Sequence, residues 1–260
     1  MDQPLSPEGL RAVIRSGKWS SPTSGAAPGN VQANLVMLPK EEAFNFLLFC
    51  TRNPKPCPIL DVLEPGRTAP RIAPGADLRT DLPRYSVYRD GKLAEEPLDV
   101  YDLFSEDTVS FLLGCSFSFE NALLAAGVPV RNLDEGKNVS MYITNRECLP
   151  AGPFSAPLVV TMRPMNPEQA IRAVQVTTRF NLTHGAPVHI GAPEEIGIGN
   201  LAEPDFGDPV SIHPDEVPVF WACGVTSTLA ATSTQLPIII THSPGHMFIS
   251  DIKDEHLTLL

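Results

Sequence analysis

The segment from Val109 to Gly127, VSFLLGCSFSFENALLAAG, constrains the fold more than any other part of the chain. Its apolar run at 111–113 is short and bounded by Gly114, as in a buried strand rather than a helix. A turn of small residues follows. Ser118 can cap a helix that Gly127 ends, because glycine readily adopts the left-handed conformation at helix C-termini. The segment therefore predicts a strand, a tight turn and a short helix.

The turn in this segment predicts a site for an anion. Cys115 and Ser116 lie in the turn, and Glu120 lies near the positive end of the helix dipole. Backbone N–H groups after Gly114, with the hydroxyl of Ser118, would converge at the end of a buried strand, where open α/β sheets place ligands. An ordinary strand-to-helix connection explains the same pattern, so both interpretations stay open.

Helical and strand patterns alternate along the rest of the chain. Apolar residues at helical spacing predict helices near 6–16, 40–53 and 167–178, the last with Asn166 as N-cap and Pro167 at its first position. β-rich runs predict strands near 57–63, 139–143, 157–163, 188–190, 217–221, 238–241 and 247–249, and Asp90-Gly91 predicts a hairpin turn. Helices interleaved with short buried strands indicate an α/β or mixed α+β fold.

A division into two lobes is expected, although no linker is visible in the composition. In this division, residues 1–114 and 206–260 form a discontinuous main lobe that uses both ends of the chain. Residues 115–205 form the inserted lobe.

Charge and composition exclude several classes of partner. The net charge is −11, whereas nucleic-acid binding needs clustered Lys and Arg, so we expect no nucleic-acid partner. No apolar stretch reaches the ~20 residues that cross a bilayer, and residues 1–20 lack the apolar core of a secretory signal. These features predict a cytoplasmic protein with no membrane partner. The five cysteines have no CxxC spacing, so we expect reduced thiols. Self-association into a homo-oligomer stays open.

Four of the six histidines fall into two pairs, His184 with His189 and His242 with His246. Pro244-Gly245 prevents a helix between His242 and His246, which excludes the helical spacing of a zinc protease. Each histidine alone is as consistent with an ordinary hydrogen-bonded ring as with a functional role. Glycine-rich phosphate loops are also absent from the sequence. We therefore predict no metal site and no cofactor, with a metal-dependent enzyme as the alternative.

Several basic residues beside short polar residues are candidates for binding a carboxylate. They are Arg79 with Thr80, Lys137 with Asn138, Arg163 after a strong strand pattern, and Arg179 after a helix. A guanidinium group donates paired N–H bonds to a carboxylate. Each residue alone is more often part of a surface ion pair, so only convergence of several would support a site for a small anionic substrate.

Seven segments together resemble one protein family over residues 11–251. They are QANLVMLPKEEAFNFLLFCTRNPKPCPILDV (32–62), DLRTDLPRYSVYRDG (77–91), FLLGCSFSFENALLAAGVPVRN (111–132), EGKNVSMYITN (135–145), HGAPVHIG (184–191), PVFWACGVT (218–226) and THSPGHMFISD (241–251). In this order they resemble the D-glutamate cyclase-like family of hydro-lyases. The resemblance implies a three-layer α/β unit joined to a smaller two-layer α+β unit. The chain departs from the family pattern at Ala192, where Asp is usual, and at Ser227 and Thr228, where Pro-Gln is usual.

The resemblance implies closure of D-glutamate to 5-oxo-D-proline with loss of water, or removal of water from a small hydroxy acid. Either reaction needs a base and an acid. The expected catalytic residues are His189, His242 and His246, in that order as the base, with Cys115, Ser116 and Glu120. The expected substrate-binding residues are Gly114, Ser118, Arg79, Thr80, Asn138, Asn145, Arg163 and His184. A non-catalytic protein that binds small carboxylates, or a metal-dependent dehydratase, is the alternative.

Overall fold

The computed structural model describes residues 5–257. In this range the chain forms six α-helices and eleven strands. The helices are α1 (Pro7–Arg15), α2 (Lys40–Arg52), α3 (Phe117–Ala125), α4 (Arg131–Asp134), α5 (Pro167–Thr177) and α6 (Val225–Thr232). The strands are β1 (Asn30–Pro39), β2 (Ile59–Leu63), β3 (Tyr85–Arg89), β4 (Lys92–Glu95), β5 (Thr108–Gly114), β6 (Ser140–Glu147), β7 (Pro157–Met165), β8 (His189–Ile190), β9 (Val217–Ala222), β10 (Ile239–His242) and β11 (Phe248–Lys253). The fold is mixed α+β, which confirms the predicted class.

The larger of two sheets has the strand order β2-β5-β1-β10-β3-β4, and β11 also pairs with β1. All of its pairings are antiparallel. The side chains of β1 alternate between two buried clusters, with Leu35 and Met37 on one face and Val36 and Leu38 on the other. Because both faces are covered, this central strand is apolar at successive positions from Leu35 to Leu38 rather than alternating with polar residues there.

The second sheet has the order β6-β7-β9-β8 and is also antiparallel. Val219 and Trp221 face the cluster that contains α3 and α5, whereas Met162 and Phe220 face a separate cluster on the other side. The two faces of this sheet therefore have different neighbours, and only the face that carries Trp221 contacts α3.

Helices α3 and α6 each cross from one sheet to the other. Helix α3 follows β5 of the larger sheet, but its Phe119 packs with Val219 and Trp221 of the second sheet. Helix α6 follows β9 of the second sheet, but its Ala230 packs with Val36 of the larger sheet. The ends of β5 and β9 are consequently brought together between the two sheets.

Most local predictions agree with this architecture. The helix expected after Asn166 is confirmed, with a reciprocal capping interaction between Asn166 and Gln169. The predicted hairpin joins β3 and β4 at Asp90 and Gly91, both of which have positive φ. Strand β9 lies in the second sheet with strands from 115–205, although the predicted division assigns 206–260 to the main lobe.

The other boundaries of the two lobes stay a prediction. The first and last residues assigned to the main lobe, 1–4 and 258–260, lie outside the described range. Within residues 5–257, none of the helices is long and apolar enough to span a membrane.

Candidate active site

A small cavity lies between the two sheets, where β5 and β9 end. Its volume is about 20 Å³, enough for about one water molecule. Polar side chains and thiols line it: Asn34, Ser116, Asn138, Thr161, His242, Cys115 and Cys223. Four of these, Cys115, Ser116, Asn138 and His242, are site residues expected from the sequence. The cavity is therefore the place where the structure brings predicted site residues together.

The turn after β5 can be built only with glycine at position 114. A Cβ atom there would lie 1.9 Å from the carbonyl oxygen of Leu182. The amide of Gly114 itself donates to the carbonyl of Pro58 at 2.8 Å, and the amide of Ser118 donates to the carbonyl of Cys115 at 3.1 Å. The expected row of free N–H groups is therefore wrong at these positions, because neighbouring backbone occupies them.

The hydroxyl of Ser118 is also occupied. Gln32 N–H donates to Ser118 Oγ at 3.0 Å, and this hydroxyl donates to Gln32 O at 3.3 Å. The N-cap of α3 is Ser116, not Ser118, which lies in the first turn of the helix. Ser118 thus attaches α3 to β1 instead of contacting a ligand, and its expected substrate-binding role is corrected.

Arg163 organises one wall of the site. Its Nη2 donates to Glu120 Oε1 at 2.7 Å and to Ser116 Oγ at 3.3 Å, and its Nη1 donates to Thr161 Oγ1 at 3.2 Å. The guanidinium carbon lies 5.5 Å and 5.6 Å from the ring centroids of Phe119 and Trp221. Because both hydroxyls accept hydrogen bonds from Arg163, their own hydrogens can be donated into the cavity that they line.

Glu120, expected to be catalytic, does not line the cavity, and its side chain is only 4% exposed. It pairs with Arg163 through Oε1 and accepts from the hydroxyl of Ser24 through Oε2 at 3.0 Å. Burial raises the pKa of Glu120, and the adjacent guanidinium of Arg163 opposes that effect. Arg163 is thereby neutralised inside the protein, so it acts on the cavity through the two hydroxyls rather than as a free cation.

His242 is the histidine that lines the cavity. The amide of Leu35 donates to the Nδ1 of His242 at 3.2 Å, and this nitrogen also lies 3.3 Å from the carbonyl oxygen of Leu35, which leaves Nε2 as the nitrogen available to the cavity. Burial lowers the pKa of His242 to about 4, from an ordinary value of 6.5. The ring is therefore neutral at pH 7, the form that can accept a proton.

His184 and His246 are engaged by backbone carbonyls near the site. His184 is buried, its Nδ1 lies 2.8 Å from the carbonyl of Lys55, and burial lowers its pKa to about 4. The Nδ1 and Nε2 of His246 lie 2.9 Å and 3.2 Å from the carbonyl oxygens of Pro244 and Ser20. Neither ring lines the cavity, so the structure gives both a structural role.

His189, the first-ranked base, lies on the wrong face of the second sheet. It pairs with Phe220, which pairs with Met162, whereas Arg163 pairs with Val219. Paired residues in an antiparallel sheet share a face and successive residues alternate. His189 therefore points away from Arg163, and its Nε2 lies 2.9 Å from the carbonyl of Ala192. The expectation that it joins the catalytic group is corrected.

Three expected substrate-binding residues also lie elsewhere. Arg79 forms an ion pair with Asp77 at 2.7 Å and stacks 4.1 Å from the ring centroid of Tyr101. Thr80 donates to Asp81 at 3.0 Å in the same connection. Asn145 is exposed on β6 and packs beneath Gly197. These polar side chains of the connection before β3 thus bond to neighbours within the connection and do not line the cavity.

Three of the polar and thiol side chains that line the cavity were missed by the sequence reasoning: Asn34, Thr161 and Cys223. The carboxamide of Asn34 donates to the carbonyl of Gly114 at 2.8 Å and lies against Gly224, where a Cβ would be 2.1 Å from Nδ2. A signal for Cys223 was present, because GCSFS at 114–118 and ACGVT at 222–226 share a small residue, a cysteine and a hydroxyl three positions later.

The departures from the family pattern have local structural effects. Ala192 has φ 27°, an unfavourable conformation for a residue with a side chain. Ser227 donates to the carbonyl of Gly224 at 2.6 Å, and Thr228 Oγ1 is buried without a hydrogen-bond partner. None of these three side chains lines the cavity.

Two other features of residues 5–257 bear on the choice of site. No group of three or more His, Cys, Asp or Glu side chains is arranged to hold a metal ion in this range. A larger surface cavity of about 500 Å³ follows edge strand β2 and the connection to Arg71. It contains none of the predicted site residues, so we place the candidate site between the sheets.

Comparisons with known proteins identify relatives over the whole chain. A family model described as D-glutamate cyclase matches residues 109–251. A protein of Syntrophobacter fumaroxidans named "Putative hydro-lyase" is 58% identical, with 98% of each chain covered. A second protein named as a putative hydro-lyase, from Geobacillus kaustophilus, is also 58% identical, covering 99% of this chain and 98% of the relative.

Among solved structures, a nitrogen repressor-like protein from Methanococcus jannaschii covers 96% of this chain and 100% of its own, with a TM-score of 0.39 and 11% identity. At that level of similarity it carries no argument about fold or function.

Proposed function

Because the chain belongs to the D-glutamate cyclase family, we propose that it is a hydro-lyase of small amino or hydroxy carboxylic acids that acts in the cavity between the sheets. The reaction that fits best is closure of D-glutamate to 5-oxo-D-proline. In it the amine attacks the side-chain carboxyl carbon and water leaves. One observation carries the proposal: two hydroxyl donors and a neutral imidazole line the same cavity.

His242 would act as the base. For this role the ring takes the tautomer with its hydrogen on Nδ1, donated to the carbonyl of Leu35 at 3.3 Å in place of the bond accepted from the Leu35 amide, and the lone pair of Nε2 then accepts a proton from the substrate ammonium. A bound carboxylate favours the charged imidazolium and so raises the pKa of the ring. The substrate itself would therefore bring His242 closer to the basicity that the reaction needs.

Ser116 and Thr161 would hold the carboxyl group under attack. Arg163 takes a lone pair of each hydroxyl, which leaves both O–H groups to donate to the oxygen where negative charge develops. Arg163 acts here as a positioning residue, with Glu120 as its counter-ion. Since the amine and the carboxyl belong to one molecule, holding them in line also lowers the barrier without a covalent intermediate.

Binding in this site requires the cavity to open. Its volume of about 20 Å³ is far below that of an amino acid. Phe117 and Met247 line the cavity and are the large side chains whose movement would enlarge it. We expect closure over the bound substrate to exclude water, as in other enzymes whose loops or domains close.

The test is direct measurement of turnover. Purified protein is incubated with D-glutamate and, in parallel, with L-glutamate, and 5-oxoproline is separated by chiral chromatography and measured by mass spectrometry. His242→Gln should lower the rate on the order of 10²–10⁴-fold because it removes the base. His189→Gln is the matched control, since His189 lies on the opposite face of the second sheet, and it should leave the rate unchanged.

Two other outcomes would contradict parts of the proposal. Binding of D-glutamate in calorimetry without any 5-oxoproline would indicate a carboxylate-binding protein instead of an enzyme. Turnover that is lost after EDTA treatment and restored by a divalent metal would indicate the metal-dependent dehydratase.

A further inference from the structure

The cavity is built from two copies of one structural unit. In the larger sheet β5 ends, Cys115 follows, and α3 begins two residues later. In the second sheet β9 ends, Cys223 follows, and α6 begins two residues later. The N-cap residues have nearly the same conformation, with φ −63° and ψ −19° at Ser116 and φ −62° and ψ −19° at Gly224. The two helices therefore begin from the same N-cap conformation, at the same distance along the chain from a cysteine that follows a strand.

The hydrogen bonds of the two units also correspond. Ser118, three residues after Cys115, exchanges hydrogen bonds with the N–H and C=O of Gln32 at 3.0 and 3.3 Å. Thr226, three residues after Cys223, does the same with Val159 at 3.0 and 3.5 Å. Because each helix then packs on the opposite sheet, the two units are related as the halves of an exchanged pair. Each unit contributes its cysteine to the lining of the same cavity, Cys115 from one and Cys223 from the other.

The equivalent reactive atoms are the two thiols. Cys115 and Cys223 line the same cavity and belong to the same buried cluster. The amides of Phe117 and Val225 donate to their respective sulfur atoms. Arg163 is close enough to lower the pKa of each thiol, against burial, which raises both. Burial is the larger effect: it raises the pKa of Cys223 to about 11 and raises that of Cys115 as well, so both cysteines are thiols before substrate binds. The ammonium group of a bound amino acid would supply the positive charge that favours one thiolate.

We propose that Cys115 and Cys223 transfer protons at opposite faces of one carbon of a bound amino or hydroxy acid, giving the protein an inversion activity at the α-carbon. This proposal rests on the proposed function in one respect: it uses the same cavity and the same class of substrate. It adds an activity that loss of water from glutamate does not require.

The reaction balances without a co-reactant. The thiolate of one cysteine takes the α-hydrogen as a proton, and the electron pair of the broken C–H bond moves into the α-carboxyl group. For this reaction the α-carboxyl, rather than the side-chain carboxyl that is attacked in the cyclisation, binds against the hydroxyls of Ser116 and Thr161. The thiol of the other cysteine then donates its proton to the opposite face of the carbon and becomes the thiolate. One C–H bond breaks, one forms, and the two sulfurs exchange protonation states.

Exchange with solvent tests this pair. The full chain is incubated in D₂O with D-glutamate or L-glutamate, and deuterium at the α-carbon and the ratio of enantiomers are followed by chiral mass spectrometry. The unaltered protein should incorporate deuterium and invert the α-carbon. Cys115→Ser and Cys223→Ser should each lower inversion on the order of 10²–10⁴-fold. Each variant should still exchange the α-hydrogen of one glutamate enantiomer, because it retains one thiol at one face of the carbon. The enantiomer that exchanges in Cys115→Ser should be the one that does not exchange in Cys223→Ser.

Two controls keep the result interpretable. Cys148→Ser should change nothing, since Cys148 packs in the cluster around Phe46 and Phe154, away from the cavity. Circular dichroism establishes that each variant is folded. If a serine variant unfolds, iodoacetamide mapping of the unaltered protein replaces it, and D-glutamate should protect Cys115 and Cys223 but not Cys148.

The outcomes separate this inference from the proposed function. Formation of 5-oxoproline without exchange at the α-carbon overturns the thiol pair and leaves the proposed function standing. Exchange with inversion but no 5-oxoproline supports the pair and rejects the cyclisation. Exchange that depends on one cysteine only, or that survives loss of both, overturns the two-faced arrangement. A folded protein that gives neither product nor exchange rejects both.

Discussion

Because His242 is buried and neutral, we expect the free energy of unfolding to fall by a calculable amount in acid. Burial lowers its pKa from 6.5 to about 4, so below pH 6.5 the unfolded chain binds a proton that the folded protein does not take up. Stability from this group is therefore complete above pH 6.5 and is lost as the pH falls toward 4. Between pH 7.5 and 4.5 the loss from His242 alone amounts to about 2.5 kcal/mol.

The assay is urea unfolding of the unaltered protein and of His242→Gln at several pH values between 7.5 and 4.5. The unaltered protein also loses stability through other groups, His184 among them, so the informative quantity is the difference between the two proteins. His242→Gln should reduce the acid-induced loss by about 2.5 kcal/mol, since glutamine does not titrate. His213→Gln, at an exposed position, is the matched control and should leave the pH dependence unchanged.

Equal pH dependence in His242→Gln and the unaltered protein would refute the reasoning. Titration of the His242 ring near pH 6.5 in NMR spectra would do the same, because it would mean that the ring is not desolvated in the folded protein. Either result would also remove the argument that His242 is a neutral base at pH 7.

Three substitutions test other features of the structure. Gly114→Ala places a Cβ 1.9 Å from the carbonyl of Leu182 and should lower the free energy of unfolding by about 3 kcal/mol in urea titration, whereas Gly199→Ala, with open space around it, should stay within about 0.5 kcal/mol. Ala192→Gly relieves the φ of 27° and should raise the melting temperature, with a gain of about 1 kcal/mol; a lower melting temperature would contradict it. Thr228→Val removes a buried hydroxyl without a partner and should stabilise by about 1 kcal/mol in the same titration, and a loss of stability would mean that the hydroxyl is bonded in solution.

Local features of the fold were predictable from sequence because they depend on neighbours in the chain. Asn166 and Pro167 begin α5 through contacts within one turn, and Asp90-Gly91 forms the β3–β4 hairpin because its conformation is available to those residues. The strand, turn and helix of 109–127 follow equally from spacing. In each case the physical cause lies within about ten residues.

The membership of the candidate site was only partly predictable. His242 and Ser116 were expected together and do line one cavity, whereas His189 was ranked above His242 as the base and lies on the other face of its sheet. The face that a β-strand residue occupies depends on register, and a shift of one residue reverses it. Sequence spacing alone therefore cannot assign a histidine on a two-residue strand to a cavity.

By itself, the amino-acid sequence determined the mixed α+β class, the strand–turn–helix segment after Val109 and membership of the D-glutamate cyclase family. Only the tertiary structure decided that α3 and α6 exchange sheets, that Cys223 and Thr161 line the same cavity as Cys115 and Ser116, and that backbone carbonyls occupy the amides after Gly114. The physical reason is the range of the interactions: conformational preference and capping act between near neighbours, whereas the cavity exists because two sheets bury their strand ends against each other across more than a hundred residues of chain.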